Sequence, residues 1–123
     1  MLTDSPAFSG FAVTDVAEAR RFYSDVLGVR TSEENGMLHL HLGTGATVLA
    51  YPKPGHVPAT FTILNFPVTD IETTVDELTR RGVQMARYPG MPQDGRGIMR
   101  EGGPLIAWFT DPSGNVLSVL QDR

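Results

Sequence analysis

The 123-residue chain is 41% hydrophobic and 20% charged with a net charge of −4, a balance that suits one soluble globular domain with a proper core. No apolar run approaches the roughly 18 residues of a membrane span, no leader-like segment precedes Phe8, and no basic stripe offers a nucleic-acid surface. A cytoplasmic protein without membrane or nucleic-acid partners is therefore expected. The absence of cysteine excludes disulfides and thiolate metal sites.

Residues 8–14 read as a strand, and Asp15 follows as a helix N-cap with Glu18 at the third helical position. Val16, Ala19, Phe22/Tyr23 and Val26/Leu27 recur at helical spacing, which predicts an amphipathic helix over 16–27 stopped by Gly28. Glu33-Glu34 reads as a solvated turn, and Asn35-Gly36 as a hairpin turn. Beyond it Leu38, Leu40 and Leu42 alternate with His39 and His41. A strand over 46–51 and a proline-rich linker containing His56 complete the first half. In the second half a strand over 60–68 leads to Asp70, and a helix buries Ile71, Val75 and Leu78 and stops at Gly82. Residues 87–104 are glycine-rich and loop-like. Strands at 105–109 and 115–120 flank the turn Asp111-Pro-Ser-Gly114.

The two halves echo one another. Phe11-Ala-Val-Thr-Asp-Val16 returns as Phe66-Pro-Val-Thr-Asp-Ile71, Gly28-Val29 as Gly82-Val83, and Gly45–Tyr51 as Gly114–Leu120. Three echoes in the same order indicate internal duplication. The expected architecture is α+β: two tandem β-α-β-β-β modules, about 7–52 and 60–121, forming a pseudo-symmetric curved-sheet cleft within a single domain.

The stretch Phe11-x-Val-x-Asp15-x-x-x-Ala19-x-x-Phe22-Tyr23-x-x-x-Leu27-Gly28, together with Asp111-Pro-x-Gly114-Asn115, resembles the vicinal oxygen chelate superfamily. That superfamily includes glyoxalase I, extradiol dioxygenases, fosfomycin-resistance enzymes and bleomycin-resistance proteins. The resemblance covers Phe8 to Gln121 and implies a single-chain, two-module member. It also implies four metal-ligand positions, one on the first and one on the last strand of each module. By the family pattern these are Phe8, Leu49, Ile63 and Ser118. Three carry no donor atom and a neutral serine hydroxyl is a poor ligand, so the usual metal site is absent and no cofactor is predicted.

Strand parity selects the residues that share a face with those positions. Gly10, Ala12, Asn65 and Pro67 join Phe8 and Ile63, while Phe11, Val13, Leu64, Phe66 and Val68 face the helices. Thr47, Leu49 and Tyr51 match Val116, Ser118 and Leu120, and His39 and His41 match Ile106 and Trp108. The candidate ligand-binding residues are thus Phe8, His39, His41, Leu49, Tyr51, Ile63, Asn65, Trp108 and Ser118. This face is apolar and aromatic with few polar groups, as organic-ligand pockets are. Each polar residue has two readings. His39 and His41 are either partly solvated strand residues or an acid/base or metal-binding pair. Trp108 either stacks on a ligand or fills the core. Arg96 and Arg100 either clamp an anion or are ordinary loop arginines.

Two functions fit. One is a metal-free small-molecule binder that sequesters a hydrophobic or aromatic compound, similar to the drug-resistance branch of the family. The other is a lyase, isomerase or dioxygenase-type enzyme. It would use a divalent metal relocated to His39, His41 and Glu101, or one histidine as general base. Whether the protein is an enzyme is left open by the sequence. Small family members often pair, so a homodimer is expected.

Overall fold

The computed structural model describes residues 1–122 and divides the chain into two compact units, one ending at Val57 and the other running from Pro58 onward. In the first unit β1 (Gly10–Val13) leads to α1 (Val16–Arg20), which continues as a π-helical stretch over Arg21–Val26. Then come β2 (Arg30–Glu34), β3 (Met37–His41) and β4 (Thr47–Pro52), in the sheet order β1-β4-β3-β2. The second unit holds β5 (Thr62–Pro67), α2 (Ile71–Arg80), β6 (Leu105–Thr110) and β7 (Val116–Gln121), in the sheet order β5-β7-β6. This is the expected two-module α+β fold.

The register shows the duplication directly. β1 pairs in parallel with β4, placing Gly10 opposite Leu49 and Phe11 opposite Ala50. β5 pairs in parallel with β7, placing Asn65 opposite Ser118 and Phe66 opposite Val119. The first and last strands of each module are therefore joined at equivalent positions of the repeat. Both helices begin as the sequence indicates. Asp15 Oδ1 accepts from the Glu18 N–H at 2.9 Å, and Asp70 Oδ1 accepts from the Thr73 N–H at 3.1 Å. The Thr73 bond holds the Asp70 carboxyl below its ordinary pKa.

Each unit has its own core. In the first, Val13, Tyr23, Leu38, Leu40 and Ala50 are fully enclosed, and the Phe11 and Tyr23 rings meet at 5.9 Å. In the second, Ile71 and Val75 of α2 are buried, as are Ala107 and Phe109 of β6 and Leu117 and Val119 of β7. The buried Asp111 carboxylate organises the turn before β7. Oδ1 accepts the N–H groups of Ser113 and Asn115, and Oδ2 accepts from Asn115 Nδ2, each at 2.9 Å.

Four local features differ from the sequence reading. The helix expected over 16–27 changes to π geometry at Arg21, with Leu27 N–H donating to Phe22 O, five residues back. The first strand starts at Gly10 rather than Phe8, because the ladder opens with Leu49 N–H on Ser9 O; Phe8 precedes it and is 71% exposed. Glu33 and Glu34 are strand residues paired with Leu38 and Met37, not turn residues. Finally, the second strand of module 2 is reduced to isolated bridges, Gln93 to Met99 and Met99 to Ile106. Side-chain bonds hold this segment instead. Gln93 accepts from Tyr88 N–H and donates to Ala86 O and Gly97 O, and Arg87 donates to Asp94 O and Gly95 O.

Two stability predictions follow from these contacts. Asp111→Ala leaves buried N–H groups unsatisfied and should cost about 3 kcal/mol, against about 1 kcal/mol for the exposed cap change Asp70→Ala. Urea unfolding ranks the two, and an equal loss would contradict the burial difference. At the end of α2, Arg80 and then Arg81 hold the Glu77 carboxyl down from its ordinary 4.5 to about 2. A depressed carboxyl contributes stability above its unfolded value and loses it as pH falls through the folded one. Thermal melting of wild type should therefore drop between about pH 4.5 and 2 by more than that of Glu77→Gln.

Candidate functional site

The exposed face of the first sheet is built by alternation. Leu38 and Leu40 turn into the core, so His39 and His41 stand on the opposite face of β3. Cross-strand pairing sets Leu49 and Thr47 beside them on one side and Ser32 on the other. Gly10 closes the row. A Cβ there would lie 3.0 Å from the Leu49 carbonyl oxygen, so the parallel pair can sit this close only without a side chain.

At the hairpin end of this face lies a depression of about 630 Å³. Its wall is mainly apolar: Pro6, Ala7, Phe8, Met37, Ala46, Val48 and Leu49. Ser9, Asn35, Thr47, His39 and Glu34 supply the polar groups. The turn at its rim is Asn35-Gly36, with φ of 53° and 76°, the geometry of a two-residue hairpin of the kind Asn-Gly favours. Phe8, Met37 and Leu49 are large apolar side chains that are exposed or half-buried here.

The two histidines have different surroundings. His41 Nε2 lies 2.8 Å from Ser32 Oγ and its Nδ1 lies 3.3 Å from Thr47 Oγ1, so hydroxyls engage both ring nitrogens. His39 lines the depression, with Nε2 3.8 Å from Glu34 Oε2. The two rings stack at 6.4 Å.

In the second unit, Asn65, Ser118 and Trp108 form one cross-strand row. The buried Ser118 hydroxyl donates to Asn65 Oδ1 at 2.6 Å. The Trp108 indole N–H donates to Thr62 Oγ1 at 3.1 Å, and Tyr88 meets its ring edge-on at 5.7 Å. The alternation assumed for Ile63 does not hold. β5 carries one extra residue between Thr62, opposite Val116, and Leu64, opposite Leu117, so Ile63 has no register partner and Thr62 shares the face of Trp108. Tyr51, at the far end of β4 opposite Ala12, is exposed and outside the depression.

Of the nine candidate ligand-binding residues, the structure thus gathers Phe8, His39 and Leu49 around one depression, with His41 on the same face. Asn65, Ser118 and Trp108 make a separate row in the second unit. Glu34 and Met37 also line the depression, and sequence reasoning missed them. The signal was available: once Asn35-Gly36 is a two-residue turn, Glu34 and Met37 must be opposite one another, and parity puts Met37 with His39.

The four family ligand positions do not fit a metal. Phe8, Leu49 and Ile63 offer no donor, and the Ser118 hydroxyl is committed to Asn65. No group of three or more His, Cys, Asp or Glu side chains among the described residues could hold one elsewhere. Arg96 and Arg100 are not poised for an anion either. Arg96 makes a two-point pair with Asp76, at 2.9 and 3.2 Å, and Arg100 donates to Asp94 at 2.9 Å and lies 3.5 Å from Glu72. Partial burial of Asp94 opposes its ionisation, but the Ile98 N–H, Arg100 and the Arg96 N–H outweigh it and hold its pKa low. Glu72 and Asp76, one turn apart on α2, are the anchors for this loop. Among the described residues no helix is long and apolar enough to cross a membrane.

Solved structures share this fold. A superfamily member from Sphaerobacter thermophilus matches with a TM-score of 0.73 at 22% identity, over 99% of this chain and 100% of that one. A glyoxalase family protein from Bacillus anthracis matches at 0.71 and 18% identity over 100% of both chains. TnmS3, an antibiotic binding protein from Streptomyces, matches at 0.67 and 19% identity over 98% and 99%. A search of the curated proteins finds no match. The family model for the Glyoxalase/Bleomycin resistance protein/Dioxygenase superfamily matches residues 7–119, nearly the whole chain, and the protein belongs to that superfamily.

Proposed function

We propose that the protein binds a small hydrophobic or aromatic molecule in the depression at the hairpin end of the first sheet, without a metal at the family's usual positions. The observation that carries this reading is the depression itself. About 630 Å³ is the size of a drug-like ligand site, and Phe8, Met37 and Leu49 offer apolar surface that nothing else in the first unit covers. Two of the family's ligand positions, Phe8 and Leu49, line the depression with apolar side chains, so they offer contact area in place of metal donors. The likeness in fold to TnmS3, an antibiotic binding protein, supports this reading. The cysteine-free composition suits a reducing compartment, and we assign the protein to the cytoplasm as a homodimer. Light scattering should return twice the 13.4 kDa chain mass, and a value of 13.4 kDa would reject the pair.

A neutral fluorescent probe, N-phenyl-1-naphthylamine, tests the binding reading. Its emission should rise on titration with the protein. Phe8→Ala should weaken uptake roughly tenfold through lost apolar contact, and Leu49→Asp should abolish it, while both variants keep the wild-type far-ultraviolet spectrum. Unchanged affinity in both variants would place binding elsewhere, and the row of Asn65, Ser118 and Trp108 would be the next to probe.

One observation favours an enzymatic reading of the same site. The His39 imidazole opens into the depression with the Glu34 carboxylate 3.8 Å away, an arrangement suited to proton transfer to or from a bound molecule. Under this reading His39→Ala abolishes turnover yet leaves uptake of the neutral probe within about twofold of wild type, because the imidazole contributes little of the apolar contact area.

A further inference from the structure

We infer that the molecule held in the first-unit depression is an organic cation: an apolar or aromatic body carrying a protonated amine or guanidinium that pairs with Glu34. The inference rests on the small-molecule reading above and adds the charge class of the ligand. Its basis is the distribution of ionised side chains around the depression. Glu34 is the sole acid in the wall, and no Lys or Arg lines it among the described residues. The nearby basic residues are engaged or distant. Arg20 pairs with Glu33 at 3.2 Å, and Arg30 stands opposite His41 at the other end of β2, roughly 13 Å along the strand from Glu34. Glu34 has His39 as its ion-pair neighbour among the described residues, and the 3.8 Å separation is too long for a hydrogen bond. Its carboxylate therefore has acceptor capacity left for a ligand N–H. Charge-assisted bonds of this kind are shorter and stronger than neutral ones.

The apolar wall complements the charge. Phe8 is 71% exposed at the mouth, so its ring face can meet a cation or an aromatic body. An anionic ligand finds no Lys or Arg side chain in the wall and no long helix N-terminus at this site, and it meets Glu34 as a like charge. Because Glu34 is itself well exposed, the selectivity is that of a surface ion pair rather than a buried one. The net charge of −4 attracts cations to the whole surface, so the test must separate the site from this general field.

Three probes of one shape do so: 1-naphthylmethylammonium, 1-naphthylmethanol and 1-naphthoate, each titrated at about 0.15 M salt to screen long-range attraction. Backbone amide shifts of Glu34, Met37, His39 and Leu49 report binding by NMR. The ammonium should bind about three- to fivefold more tightly than the alcohol, with the carboxylate weakest. In Glu34→Gln the ammonium should lose its advantage and bind no more tightly than the alcohol does to the same variant. A carboxylate that binds as tightly as the ammonium would overturn the inference, as would an ammonium preference that survives Glu34→Gln. If the alcohol binds and the ammonium gains nothing, the charge assignment falls and the small-molecule reading stands. If none of the three shifts these amides, the small-molecule reading falls and takes the inference with it.

Discussion

Parallel pairing between the first and last strand of each module is the contact on which the rest of the molecule depends. Two parallel strands cannot be joined by a tight turn, so the chain between them must cross over, and a helix is the usual way to do it. In the first module that crossover supplies α1, its π-helical extension and the hairpin β2–β3; in the second it supplies α2 and β6. The register of the parallel pair then fixes which side chains share a sheet face: Gly10 with Leu49 in one sheet, Asn65 with Ser118 in the other. Once these are set, antiparallel pairing carries the assignment outward to His39 and to Trp108.

The duplication makes these rows comparable position by position. Leu49 corresponds to Ser118, and the register makes His39, rather than His41 as read from the sequence, the counterpart of Trp108. One module therefore offers an imidazole beside an aliphatic floor, and the other an indole beside a hydroxyl already bonded to an amide. The backbone plan is the same in both, while the chemistry has diverged on the sheet face that turns away from Leu38 and Ala107. Leu38 and Ala107 illustrate the opposite case, since both face the core and both remain small or aliphatic. The second module has also replaced a strand with a segment held by Gln93, Arg87 and Asp94, whose side chains satisfy backbone groups that a ladder would otherwise pair.

Much of the fold was legible because its signals are local. Asp15 and Asp70 cap helices, Asn35-Gly36 turns a hairpin, and Leu38 and Leu40 alternate with histidines. Each is decided by a few neighbouring residues. Features that depend on tertiary pairing were not legible. The extra residue at Ile63 is visible only against β7, and nothing in Thr-Ile-Leu-Asn announces it. The change from α to π geometry at Arg21 is likewise unannounced by the residues around it. For the site, parity put Phe8, His39 and Leu49 in the candidate set. Glu34 was lost because two adjacent glutamates read as solvated, although the turn that follows dictates their pairing. The loop arginines were ambiguous for a related reason: their carboxylate partners on α2 are twenty or more residues away.

The Asn35-Gly36 turn occupies the junction between a rigid part and a permissive one. On the core side, Leu38 and Leu40 anchor the hairpin, and changing them would disturb the whole unit. On the rim side, Glu34, Asn35 and Met37 project into the depression and contribute little to the core. Substitutions or short insertions at this tip could therefore alter the shape and polarity of the opening while the sheet beneath stays in register. A scaffold arranged this way separates the residues that evolution must keep from those it is free to sample. New ligand preferences could then arise at one hairpin tip without a prior gain in stability.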